Sequence, residues 1–332
     1  MTPRSGAADG SASASSPRQR QLAFALFASL LLLSVALGVV FGRPVALLAL
    51  PTIPVLIALR SSKWGFAVAM LVGGAVVRVA VVGTGMQSDQ IETTQAALQL
   101  VLAGASPYGH AIVGTSTANP YPYGPLALLA YIPGVWTEVA ASVGIMALLA
   151  RRGALVSLAF YAACPLVLRG VVMGLNDTLP GLLMLAALLV APRRPAAAGV
   201  LLAAAIAVKP YALAFAPTLL GIGGLASAGV LCAASALLWS PLLAWGPGTF
   251  LRSLEIVSSV PYPAGGLGMP WLRLLAAPMS VLAALTHEWR SSALAGTAVF
   301  LLVMVTGNFL SFGYLLAILP IVAIAAEAPP GR

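Results

Sequence analysis

The stretch LAFALFASLLLLSVALGVVF, Leu22 to Phe41, runs for 20 residues without a charge or a proline. About 20 such residues are what a helix needs to cross the hydrocarbon core of a bilayer. A signal-peptide core is shorter than this, so the run reads as a full span and not as a cleaved leader. The rest of the chain agrees. Of 332 residues 60% are hydrophobic and 8% charged, and the mean hydropathy is +1.00. Too little polar surface remains to cover a soluble globule of this size. The apolar segments are long and lack period-two alternation, which points to helices, whose backbone is satisfied internally in lipid, and away from a barrel. The expected fold is an all-α polytopic transmembrane bundle.

Residues 1–21 are rich in Ser, Ala, Pro and Gly and carry Arg4, Arg18 and Arg20. This composition buries nothing and reads as a disordered cytoplasmic tail. Residues 22–332 form one integral membrane domain. About twelve apolar stretches can be marked, near 22–41, 44–59, 64–82, 124–150, 154–172, 177–191, 196–208, 211–222, 227–245, 270–286, 291–307 and 309–326. Several fall short of a perpendicular span, so some are short or re-entrant. With the tail inside, alternation also puts Arg60, Lys63, Arg151, Arg152, Arg193, Arg194, Arg290 and Arg332 on the cytoplasmic side. That is eleven of the seventeen basic residues, the bias of the positive-inside rule. Both termini then lie in the cytoplasm. The net charge of +9 follows from this asymmetry, and no nucleic-acid partner is needed to explain it. Cys164 and Cys232 lie in apolar stretches without metal or redox spacing and read as small core residues.

The same alternation sends the long connections, 83–123 and 246–269, to the outer face. There, or at the outer ends of helices, fall Asp89, Glu92, His110, Asn176, Asp177, Lys209, Arg252 and Glu255, with Arg78 and Arg169 a turn or two inside. The chain has only eight acidic residues, so a carboxylate at a membrane surface asks for a reason. Asp89 opens a segment through Ala103 that reads as an amphipathic helix with Ile91, Leu98 and Leu102 on one stripe. Ser88 or Asp89 caps its start and Gly104 ends it. Asp89 thus reads either as a cap or as a proton acceptor. Pro107-Tyr108 and the run Asn119 to Pro125 form a proline-stiffened return to the membrane. Tyr108, Tyr121 and Tyr123 either join the interfacial aromatic belt or stack on a ligand. Asp177 reads as a helix cap, a substrate contact or the partner of a cation. His110 is a second proton-transfer candidate or a solvated loop residue. Glu138, with a break at Pro133-Gly134, is the feature a transport pathway would use.

Six short elements in order resemble a known family: Ser88-Asp89 in the first long outer loop, Ala103-Gly104-Ala105-Ser106-Pro107-Tyr108 after the amphipathic helix, Tyr121-Pro122-Tyr123-Gly124-Pro125-Leu126, Gly174-Leu175-Asn176-Asp177-Thr178-Leu179-Pro180, Ala207-Val208-Lys209-Pro210-Tyr211, and the weaker Asn308 to Tyr314. Together they are similar to the polyprenyl-phosphate-sugar-dependent glycosyltransferases of the GT-C superfamily, most of all to the bacterial alpha-mannosyltransferases of glycosyltransferase family 87. The likeness runs from about residue 64 to 326. Two spans precede the one before Asp89, and the next carboxylate is Glu92, where the family has one helix and a paired acidic motif.

The resemblance implies a multi-pass enzyme of the bacterial cytoplasmic membrane, working on the outer face in cell envelope biosynthesis. It moves a sugar, mannose in the closest relatives, from a polyprenyl phosphate to a hydroxyl of a glycolipid or glycan acceptor with inversion. Asp89 is then the catalytic base. Lys209, Arg78, Arg169 and Arg252 are candidates for the departing phosphate, with Arg273 as a further helper. Asp177, Asn176, His110, Tyr108, Tyr121 and Tyr123 are candidates for substrate contact. No glycine-rich phosphate loop, Asp-x-Asp or metal-spaced His/Cys cluster is present, so no cofactor or metal is expected. The competing expectation is a secondary transporter or lipid-linked-sugar flippase.

Overall fold

A computed structural model describes residues 16–40, 42, 44–82, 88–259, 266–307 and 311–327. Within them the chain is all helical: α1 (Pro17–Val40), α2 (Thr52–Ala58), α3 (Lys63–Val81), α4 (Asp89–Leu102), α5 (Pro125–Ala130), α6 (Val135–Arg151), α7 (Leu155–Ala163), α8 (Pro165–Met173), α9 (Thr178–Val190), α10 (Pro195–Val208), α11 (Ala216–Trp239), α12 (Pro241–Trp245), α13 (Pro247–Ser259), α14 (Ala276–Leu285), α15 (Trp289–Val305) and α16 (Gly313–Ala326). Short 3-10 turns lead into α2, α11 and α14. The segments Pro17–Val40, Trp64–Val81 and Pro210–Trp245 are long and apolar enough to cross a membrane, and the bent pair α7–α8 is a fourth of that kind. Several shorter apolar helices pack among them. This is the architecture of a helical membrane protein.

Helix α1 starts at Pro17, before the expected Leu22, because Ser16 and Gln19 form a capping box: Ser16 N donates to Gln19 Oε1 (3.1 Å) and Gln19 N to Ser16 Oγ (3.1 Å). The stretch expected at 124–150 is divided into α5 and α6 at Pro133-Gly134. In α7–α8 the bend is 55°. Pro165 cannot donate to the Tyr161 carbonyl, and the break also strands the next two carbonyls. Each finds a partner from another helix: Arg78 donates to the oxygens of Tyr161 (2.9 Å) and Ala162 (2.9 Å), and Ser34 Oγ to that of Ala163 (2.7 Å).

The run from Pro210 to Trp245 is two helices and not one. Gly224 has φ 65° and ψ −166°, a conformation that glycine alone enters freely. Contacts with α10 give the direction of each half. A side chain at Gly223 would meet Pro195, at the start of α10; one at Gly199 would meet Ser227 and Leu231; and Leu242 clusters with Val208, at the end of α10. The chain thus descends along α10 to Gly224 and climbs back, a reversal that matches the sequence division between 211–222 and 227–245.

The two ends of the bundle differ in kind. At one, Arg20 donates to the carbonyls of Arg60 (3.1 Å) and Ser61 (3.2 Å), Arg152 to that of Leu189 (2.7 Å), and Arg290 to that of Glu327. An open cleft of about 1000 Å3 lies among these basic turns. The other end carries α4, the return loop 103–124, α12 and α13, held by a separate apolar cluster that includes Ile91, Tyr108, Tyr121, Tyr131, Val208, Leu242 and Phe250. The main core lies between, along α1, α3, α6–α11, α15 and α16.

Candidate functional site

Helix α4 begins at Asp89 with Ser88 as its cap, Ser88 Oγ accepting from Gln90 N at 3.2 Å. The turn is fastened to the bundle where Ser88 N donates to the Met173 carbonyl at the end of α8 (2.7 Å). The buried face of α4 is Ile91, Thr93, Thr94 and Ala97, whereas Leu102, expected on the apolar stripe, is 71% exposed. The helix therefore packs on protein, and its first turn is brought over the α8–α9 connection.

That connection holds Asn176 in a left-handed conformation (φ 39°), and Asn176, Asp177 and Thr178 are all fully buried. Asp177 occupies the cap position of α9 but makes no capping bond. Glu138, reaching from the first turn of α6, does so in its place: its Oε2 accepts from Thr178 N (2.9 Å) and its Oε1 from Leu179 N (3.3 Å) and the Tyr131 hydroxyl (2.6 Å). A carboxylate against a helix N-terminus meets free N–H groups and the positive end of the dipole. Relieved of that task, Asp177 Oδ1 takes Lys209 Nζ at 2.6 Å and the Tyr211 hydroxyl at 2.7 Å. The other oxygen, Asp177 Oδ2, is buried without a hydrogen-bond partner among the described residues and packs against Gly313, where any side chain would collide with it.

Lys209 is 4% exposed and sits at the extended junction between α10 and the following 3-10 turn. Pro210 stops α10 there, since the residue before a proline disfavours helical backbone. Besides Asp177, its ammonium reaches Gln90 Oε1 (3.3 Å) and the Leu175 carbonyl (3.4 Å), and lies over the rings of Tyr123 (5.1 Å) and Tyr211 (5.6 Å). Tyr123 comes from the return loop, and Tyr314, packed on Tyr211 at 5.5 Å, from the start of α16. Burial pushes the Tyr123 phenol well above its usual range, and the carboxylates of Asp89 and Asp177 push it further. Segments 88–90, 123–124, 174–178, 209–211 and 311–314 thus converge on one ion pair at the loop-bearing end. Asn308, Phe309 and Leu310 lie outside the described residues.

Asp89 itself is half-buried. Its Oδ2 accepts from Thr117 Oγ1 (2.9 Å) and Asn119 Nδ2 (3.5 Å), so the return loop closes over it. One turn on, exposed Glu92 takes Ser116 Oγ (2.6 Å) and Ser116 N (3.2 Å), which hold its carboxyl below the ordinary value.

The remaining candidates are placed elsewhere. Tyr108 and Tyr121 are buried inside the loop cluster, neither in an interfacial belt nor open to a ligand. Tyr108 packs on Tyr121, Trp245 and Phe250 and donates to the Tyr123 carbonyl (3.0 Å), and Tyr121 donates to that of Gly124 (3.0 Å). His110 is exposed, with Nδ1 3.0 Å from the Tyr108 carbonyl. Arg78 is fully buried in the bundle, giving four hydrogen bonds to Ser142 Oγ and to the carbonyls of Gly74, Ala162 and Tyr161. It supports the α7–α8 break and faces no phosphate site. Arg169 is exposed, its guanidinium 5.9 Å from the ring of Phe312, next to Gly313 and so at the rim of the site. Arg252 is exposed on α13, and exposed Arg273 lies beside Gly307.

Three contributors were not singled out from sequence as site residues. Gln90 follows Asp89 in the first turn of α4, and Tyr211 closes the Lys-Pro-Tyr run, so both stood beside a named residue. Glu138 was singled out only for a transport path; its task as the cap of α9 carried no local sign, because Thr178 and Leu179 lie about 40 residues away. Comparison of the chain with protein-family models, characterised proteins and solved structures found no match to any of them.

Proposed function

We propose that this chain is a membrane glycosyltransferase of GT-C-like architecture, with about twelve spanning or re-entrant segments and its loop-bearing end on the outer face of a bacterial cytoplasmic membrane. It moves a sugar, mannose by the resemblance, from a polyprenyl-phosphate donor to the hydroxyl of a glycolipid or glycan. The observation that carries this reading is the convergence of five separated segments on the Asp177–Lys209 pair, with half-buried Asp89 beside it.

In the proposed step the acceptor oxygen attacks the anomeric carbon from the face opposite the phosphate. The acceptor proton passes to Asp89, the new carbon–oxygen bond forms, and the bond to the phosphate oxygen breaks with its electron pair leaving on the lipid phosphate. Thr117 and Asn119 hold the Asp89 carboxylate by one oxygen. Lys209 is held by Asp177 against the Tyr123 ring, and exposed Arg169 at the rim would meet a phosphate arriving from lipid.

The transport reading rested on Glu138 as a mid-membrane carboxylate. Its hydrogen bonds to the α9 N-terminus and Tyr131 give that residue a structural task. The test is sugar transfer from a synthetic polyprenyl phosphate mannose to membrane acceptors, comparing the protein with Asp89→Asn at equal abundance. Loss of about 100-fold or more is expected for a general base. Undiminished transfer by the variant would remove Asp89 from this role, and donor translocation without transfer would favour the flippase reading.

A further inference from the structure

The basic end of the bundle holds a feature that the transferase reading does not use. The 1000 Å3 cleft there is bounded by Arg152 after α6, Arg193 in the turn between α9 and α10, Arg290 at the start of α15, and Glu327 after α16. Its two carboxylates are engaged at helix starts. Glu288 accepts from Arg290 N (3.0 Å) and Ser291 N (2.6 Å) of α15, and Glu327 from Val156 N (3.1 Å) and Ser157 N (2.9 Å) of α7. Each meets the positive end of a helix dipole, and Glu288 also offsets the charge of Arg290, so the three arginines exceed the two carboxylates of the lining by one. Burial lowers the pKa of Arg152, and the charges of Arg193 and Arg151 lower it further.

Glu327 also lies in the wall of a second, almost wholly apolar groove of about 410 Å3 between α1, α7 and α16, lined by Leu26, Phe160, Leu319 and Val322. Leu319 and Ala326 at its two ends are seven residues apart, so it follows α16 for about 10 Å from the arginine cleft toward the middle of the bundle. A guanidinium cluster takes phosphate oxygens in bidentate fashion, and an adjoining apolar channel suits one hydrocarbon chain.

We infer that this end binds an anionic phospholipid, its phosphate headgroup in the cleft of Arg152, Arg193 and Arg290 and one acyl chain in the groove between α1, α7 and α16. The inference rests on the helical membrane character of the chain and stands apart from the transferase reading. It would give the bundle a preference for a leaflet rich in acidic lipid and hold the α6–α7, α9–α10 and α15 turns together.

The test uses the full-length protein in neutral detergent, with thermal unfolding followed during titration with phosphatidylglycerol, phosphatidylcholine or soluble glycerol phosphate. Arg193→Gln is an exposed change at the headgroup cleft, and Val322→Trp fills the groove. Phosphatidylglycerol should raise the melting temperature and phosphatidylcholine should not. Arg193→Gln should weaken the phosphatidylglycerol response about fivefold, the share expected of one arginine near an anionic headgroup, and Val322→Trp should weaken it without altering the lipid-free melting temperature. A phosphatidylglycerol carrying a photoreactive chain should label residues 319–326. Equal responses to the two lipids, responses unchanged in both variants, or stabilisation by glycerol phosphate matching that by the lipid would each overturn the assignment, the last by showing a phosphate site with no use for the chain.

Discussion

At Asp177 a buried carboxylate has one oxygen shared by Lys209 and Tyr211 and the other without a partner among the described residues. Two charges withdrawn from water repay their desolvation only in each other's company, so removing one strands the other. Asp177→Leu and Lys209→Met should each lower stability by about 3–5 kcal/mol, and the double variant should lose clearly less than the sum. Unfolding in graded detergent mixtures checks this. Strict additivity would mean that the pair is not coupled. The same residue shows the limit of local reading. Its position before Thr178 makes it a natural cap, yet Glu138 takes the cap and leaves Asp177 free for Lys209. Nothing within a few residues of either carboxylate foretells this exchange of roles.

Among the elements, the α7–α8 bend and the return loop each depend on one bracing group. Arg78 saturates two of the carbonyls stranded by Pro165, and an unsatisfied buried carbonyl costs about 1–3 kcal/mol. Arg78→Met should therefore reduce the folded yield sharply, and Arg78→Lys should recover only part of it, since an ammonium cannot span Ser142, Gly74, Ala162 and Tyr161 with the same planar fork. Size-exclusion profiles at matched expression measure this. If Arg78 instead served a donor phosphate, folding would survive and transfer alone would fall. In the return loop, Ser116 depresses the pKa of Glu92 below its unfolded value, so this tether contributes above the ordinary carboxylate pKa and is lost as pH falls through the depressed one. Amide protection factors at Thr115 to Thr117 should drop between pH 6 and about 3, and Ser116→Ala should flatten that dependence. A loop equally protected at both pH values would show that Glu92 does not hold it.

For the whole molecule, the separation of basic turns from loops predicts which positions share a side of the membrane. Val113, 91% exposed in the return loop, and Ala197, exposed at the start of α10, belong to opposite ends. In a variant whose native cysteines are replaced by serine, Val113→Cys should react with an impermeant maleimide added to intact cells, whereas Ala197→Cys should react only after permeabilisation. Labelling of both from one side would break the two-ended arrangement. The reversal at Gly224 belongs to the same argument, because it returns Leu242 to the loop-bearing end, where Trp245 meets Tyr108.

Hydrophobicity and punctuation are local properties, and what depends on them was legible in the chain: an all-helical membrane bundle, the Ser88-capped helix α4 ending before Gly104, the breaks at Pro133-Gly134 and Lys209-Pro210, and the interruption between 211–222 and 227–245. Asp89, Asp177 and Lys209 stood out singly, since charged residues are scarce in an apolar chain, whereas the short elements around them were marked by the family resemblance. Partnership was not legible. Whether Arg78 faces a phosphate or a row of carbonyls, whether Glu138 lines a path or caps α9, and whether Tyr108 lies in a membrane belt or a protein core depend on groups tens of residues away. A buried charge or ring takes its role from whatever packing brings within about 3–6 Å of it, and that neighbourhood exists only once the helices have closed on one another.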